Sequence, residues 1–178
     1  TLFPYTTLFR SVTGLPDSVR GVWSLWEISL AADSFNRRRF MAVFTADDGR
    51  TFMPTARRIW DLLLTEQVEC EPFGLSAGSA KAFEAALAAA STHGHSVFSE
   101  LQEEHRAWLA GERERARHAF ESRRQSIGRI GLLAVREYRR KHLEAEYETR
   151  LRALADAESY TPDLNAVMLL RVGESAGS

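Results

Sequence analysis

Residues 96–157 hold an apolar residue at nearly every third or fourth position, and little else a chain can fold into satisfies that spacing. In the first half Phe98, Leu101, His105, Trp108, Ala116, Phe120, Ile127 and Ile130 form one helical stripe. The second half answers with Leu132, Val135, Tyr138, Leu143, Tyr147, Leu151 and Leu154, and Gly128 and Gly131 stand between the two. Glycine is about 1 kcal/mol worse than alanine inside a helix, so this pair predicts the turn of an antiparallel helical hairpin.

Charge is unevenly spread along that hairpin. The whole chain is close to neutral, at −1, yet residues 113–141 hold ten basic side chains against Glu114, Glu121 and Glu137. With the turn at the two glycines, the basic set gathers towards the far end of the hairpin, while Glu103, Glu104, Glu144, Glu146 and Glu148 fall nearer its base. The candidate phosphate-contacting residues are Arg113, Arg117, Arg123, Arg124, Arg129, Arg136, Arg139, Arg140 and Lys141. A second reading of the same residues is a solvated helix face held by i,i+4 pairs such as Glu137 with Lys141, Glu146 with Arg150 and Glu148 with Arg152.

The rest of the chain supplies a small base for the hairpin. At 178 residues, 44% hydrophobic and 26% charged, the composition is that of one globular domain with an appendage. No apolar run approaches the roughly 20 residues a membrane-spanning helix needs, and no membrane partner is expected. Cys70, the single cysteine, can form neither an internal disulfide nor a cysteine-rich zinc site, which fits a cytoplasmic setting. Residues 1–11, TLFPYTTLFRS, resemble the in-frame translation of a sequencing-library adapter. They are therefore set aside as artefactual, with the native sequence expected to begin near Val12 and to continue upstream.

From residue 22 the period changes from helical to two-fold. Residues 22–30 and 40–45 are rich in aromatic and β-branched side chains, and residues 50–53 extend again after a turn at Asp47, Asp48 and Gly49. This predicts a three-strand antiparallel meander, covered by a helix over 55–64 that Pro54 and an N-capping Thr55 open. A connector over 66–74 leads to Ser76, a cap for a helix over 77–90, which His93, Gly94 and His95 break or kink. Pro162 ends the second arm, and residues 166–172 return as a buried strand. The expected class is α+β: a small antiparallel sheet of the meander plus a C-terminal strand, one covering helix and a long helical hairpin. Residues 12–75 and 159–173 form the base, 76–158 the arm and 174–178 a tail.

Catalytic patterns are missing from this sequence. There is no G-x-x-x-x-G-K-[ST] loop, no H-E-x-x-H helix and no G-x-S-x-G elbow. His93 and His95 lack a third metal ligand at convincing spacing, and Cys70 stands beside Pro72 with no nearby histidine. Neither a catalytic residue nor a metal ligand is assigned.

The phrases GVWSLWEISL, RRRFMAVFTADDGRTFMPTARRIWDLLL, HAFESRRQSIGRIGLLAVREYRRKHLEAE and LNAVMLLRV resemble the C-terminal region of large bacterial SNF2-type helicase-like ATPases. The nearer likeness is to the helicase-like component of the DISARM anti-phage system, the more distant one to the RNA-polymerase-recycling ATPase of the same superfamily. The resemblance runs over roughly residues 22–172. It implies a parent protein that hydrolyses ATP with Mg in two motor lobes upstream, and a fragment here that carries no cofactor of its own. It also implies partners: nucleic acid, duplex DNA first among them, the motor lobes of the same protein, and other defence-system subunits. The alternative is a module that docks on the motor or a partner subunit, through Trp23, Trp26, Trp108 or the hairpin flank, without touching nucleic acid.

Overall fold

The computed structural model describes residues 6–9, 19–65, 70–72 and 77–173. The fold is α+β. In chain order the elements are β1 (Thr6–Phe9), β2 (Gly21–Ala32), β3 (Phe35–Ala46), α1 (Met53–Thr65), β4 (Cys70–Pro72), α2 (Ala77–Gly128), α3 (Leu133–Asp156) and β5 (Thr161–Val172). Two compact units divide the chain. One takes in Thr1–Ser29, Arg38–Phe98 and Pro162–Ser178, the other Leu30–Arg37 and Ser99–Thr161.

The first unit is built on a sheet whose strand order is β3-β2-β5-β1-β4. β3, β2 and the C-terminal strand β5 run antiparallel, as expected. The third member of the anticipated meander shrinks to a single bridge, Thr45 to Thr51, because the chain enters α1 only two residues later. β1 lies parallel to β5, with Thr7 opposite Leu170, and β4 lies antiparallel to β1. Residues 6–9, set aside in the sequence reading, thus run as a strand, and Cys70–Pro72 is a strand within the expected connector.

Helices cover both faces of β2 and β3, which explains why GVWSLWEISL reads as nearly continuous apolar sequence rather than strict alternation. On one face Trp23, Phe44, Leu170 and Val172 pack with Ala56 and Ile59 of α1. The Trp23 indole N–H donates to the Ala56 carbonyl at 2.9 Å, so the ring is anchored as well as buried. On the other face Trp26 meets Phe83 of α2 with ring centroids 5.9 Å apart. Trp26 Nε1 donates to Ser24 Oγ at 2.8 Å, which in turn donates to the Val43 carbonyl at 3.3 Å. That chain satisfies two buried polar groups in an apolar layer.

Two local expectations change. Pro54 stands inside the first turn of α1, which starts at Met53, so Thr55 is helical and not a cap. A proline is tolerated there because first-turn N–H groups have no intrahelical partner. The break anticipated at His93, Gly94 and His95 does not occur, and α2 runs unbroken for 52 residues. Gly94 lies over the sheet instead, where a Cβ would stand 3.1 Å from Ile28 Cδ1. Its missing side chain lets helix and strand approach closely. Gly49 behaves as expected: it adopts φ +84° and donates to the Ala46 carbonyl at 2.8 Å in the turn after β3. The expected cap Ser76, the tail over 174–178 and the start at Val12 fall outside the described residues.

Candidate nucleic-acid interface

In the second unit α2 and α3 lie antiparallel, joined by a short turn between Gly128 and Leu133. The two glycines do mark it. At the opposite end from the turn, His105 is 1% exposed and its Nε2–H donates to the Ala157 carbonyl at 3.0 Å. Because a carbonyl only accepts, that ring nitrogen must carry hydrogen. Phe35, Trp108 and Tyr160 enclose the imidazole at 5.0, 6.0 and 5.3 Å, and Gln102 Nε2 donates to Tyr160 Oη at 2.7 Å. Leu109, Leu154 and Ala157 complete this apolar end. The histidine in the stripe is therefore a satisfied core group.

Towards the middle the two helices exchange charges. Glu112 accepts from Arg115 at 2.5 Å and from Arg150 of the facing helix at 2.7 Å. The Arg115 guanidinium, with Arg150 after it, holds the Glu112 carboxyl below its ordinary value. Arg113 pairs with Glu158, and Arg123 reaches Glu146 at 3.1 Å. Phe120 and Tyr147 stack with centroids 4.4 Å apart and 19° between planes, which fixes the register. Arg117 pairs with Glu114 at 2.6 Å along the helix, and that carboxylate raises the Arg117 pKa above its ordinary value.

These pairings sort the candidate cations. Arg113, Arg117, Arg123 and Arg140 have acidic partners, the last at 3.8 Å from Glu144. Arg124, Arg129, Arg136, Arg139 and Lys141 have none among the described residues, and all lie within nine residues of the turn. Arg136 is half-buried and the other four are exposed. Arg113 belongs to the far half of the arm, fifteen residues from Gly128, roughly 22 Å along the axis. A shallow depression of about 340 Å³ between the helices brings Arg123 and Arg139 together with Tyr138, His142 and Glu146.

Of the i,i+4 pairs anticipated from sequence, Glu146 with Arg150 is replaced by others, and Glu137 with Lys141 and Glu148 with Arg152 do not form among the described residues. Glu146 takes Arg123 and His142 (3.2 Å), and Arg150 takes Glu112. The facing helix offers partners that a single-helix pattern cannot show. Sequence reasoning also misplaced part of the apolar stripe. Leu132 is 66% exposed and Tyr138 73%, and their neighbour Leu133 is 57% exposed. Past the Phe120–Tyr147 stack the facing stripes no longer enclose these side chains, and their nearness to Gly131 was the available signal.

The tryptophans named for docking are core residues in two cases, since Trp23 is 2% and Trp26 1% exposed, while Trp108 is half-buried. Among the described residues no group of three His, Cys, Asp or Glu side chains is placed to hold a metal ion. No helix there is long and apolar enough to cross a membrane. Comparison of the chain with protein-family models, curated proteins and solved structures gives no match.

Proposed function

We propose that this chain is a backbone-gripping accessory module of a nucleic-acid-dependent ATPase, contacting duplex DNA through the turn end of the α2–α3 hairpin. The observation that carries the reading is the set Arg124, Arg129, Arg136, Arg139 and Lys141, which has no acidic partner among the described residues. Cations without acidic partners at the end of a helical pair are available to replace the counterions of a phosphate backbone. Nothing in this set is arranged to read bases, so the binding carries no sequence preference. Arg113, Arg117, Arg123 and Arg140 contribute less, because each must first leave a carboxylate.

The parent activity rests on the resemblance alone: a cytoplasmic SNF2-type motor in anti-phage defence, with ATP and Mg held upstream. These residues perform no catalytic step. The test is fluorescence anisotropy of a labelled duplex with the full chain, at low and at physiological salt. Binding that weakens steeply with salt supports the reading, and none at low salt refutes it.

A docking role at the same end has its own support, the exposure of Leu132, Leu133 and Tyr138. It predicts no DNA binding at low salt and capture of the motor lobes or a partner subunit, lost on replacing the two leucines with aspartate.

A further inference from the structure

The first unit has a feature that the hairpin reading leaves unused. Among the described residues β3 is the outermost strand of the sheet, so one row of its backbone groups has no neighbouring strand there. Phe44 and Ala46 point their carbonyl and N–H groups outward, because the Phe44 carbonyl accepts from Phe52 N at 2.9 Å and Ala46 N donates to the Arg50 carbonyl at 2.8 Å. The two-residue period of a strand then turns the N–H and C=O of Phe40 and Ala42 outward as well. Among the described residues no further strand or turn hydrogen bond is made to them. The Arg38 carbonyl, next in the same row, accepts from a side chain, Arg39 Nη1, at 3.1 Å.

Directly beside this open edge is a cleft of about 560 Å³, walled by Phe40 and Ala42 of β3 and by Met53, Pro54, Arg57 and Trp60 of α1. Phe40 stays 55% exposed there. An open strand edge flanked by an apolar cleft and a helix has the parts that strand addition uses: main-chain hydrogen bonds for affinity and a pocket for alternate side chains.

We propose that this edge takes an extended acidic segment of another protein, added as a further strand beside residues 38–43 with apolar side chains at alternate positions entering the cleft. Charge selects the occupant. β3 carries Arg37, Arg38 and Arg39 and no acid; Arg38 reaches Glu27 of β2 at 3.7 Å, while Arg57 on the cleft wall has no acidic partner among the described residues, where Asp61 is the single acid lining the cleft. A second copy of the chain would set arginines against arginines across the new pair, which is unfavourable. An acidic strand meets them with opposite charge.

The probe is an acetylated, amidated eight-residue peptide alternating valine with glutamate, titrated into the full chain and followed by amide chemical shifts. Binding should move the Phe40 and Ala42 amides first. Methylating the peptide's backbone nitrogens at alternate residues should weaken it about tenfold, as should Ala42→Pro, which removes the outward N–H where an edge strand tolerates proline. The methylated peptide serves the purpose if Ala42→Pro does not fold. Any of four results overturns the proposal: no binding at millimolar peptide, equal binding of a valine–lysine peptide, indifference to methylation, or closure of the edge by dimerisation of the chain itself.

Discussion

Arg150 of α3 donates to the Glu112 carboxylate of α2 across the hairpin at 2.7 Å, and the same carboxylate receives Arg115 at 2.5 Å. One acid thus joins a pair within a helix to a pair between helices. It lies between the apolar end around His105 and the stacked Phe120 and Tyr147, so it helps set where the facing arms meet.

The pH dependence of this junction has a definite sign. The Glu112 carboxyl is held below its ordinary value by Arg115 first and then by Arg150. Its contribution is therefore complete above the ordinary carboxylate pKa and fades as pH falls through the lowered one. Glu112→Gln should lower the melting temperature slightly at neutral pH and make no difference at strongly acid pH. Thermal melts of both proteins across that range check it; an equal gap at both ends contradicts it. The effect is small because the pair is solvent-screened.

Gly94 is a packing device in an unbroken helix. Gly94→Ala should leave stability within about 1 kcal/mol of the parent, because the helix-propensity gain offsets crowding of Ile28 Cδ1 at 3.1 Å. Gly94→Leu, which cannot fit, should cost roughly 1–3 kcal/mol. Urea titrations give both values, and a leucine variant as stable as the parent would refute the close approach.

Thr45 is 7% exposed and its hydroxyl has no hydrogen-bond partner among the described residues, unlike the neighbouring buried Ser24. An unpartnered buried hydroxyl costs free energy that a methyl group does not. Thr45→Val should therefore match or exceed the parent's stability, by up to about 1 kcal/mol. Ser24→Ala should destabilise, since it strands the Trp26 indole N–H that donates to Ser24 Oγ at 2.8 Å. Parallel denaturation curves separate the two; loss of stability in Thr45→Val would mean that the hydroxyl is satisfied.

The hairpin was legible in the sequence because its signals are local: a 3.6-residue stripe on each side of Gly128 and Gly131. The first two strands of the meander were legible from their aromatic and β-branched runs, and the return strand from the apolar run over 166–172, although it starts earlier, at Thr161. What could not be read were the properties that need a partner element. Glu146 pairs with Arg123 and Arg150 with Glu112 only because two helices face each other in one register. Gly94 looked like a break because helix propensity ignores the strand it packs on. Leu132 and Tyr138 fit the stripe in period, but the facing helix does not cover them. For the candidate interface, the charge surplus was visible from the sequence, and so were the spacings of Arg117 with Glu114 and Arg140 with Glu144, whereas the partners of Arg113 and Arg123 depended on the same unseen register.

The most direct test compares the salt dependence of duplex-DNA binding by three proteins: the parent, a variant with Arg124, Arg129, Arg136, Arg139 and Lys141 changed to Gln, and a control with Arg113→Gln and Arg117→Gln. The account predicts that log affinity falls steeply with log salt for the parent and the control. It predicts a slope shallower by roughly 0.9 for each phosphate contact removed in the five-fold variant. Equal slopes for all three, or no binding by the parent at low salt, would contradict it.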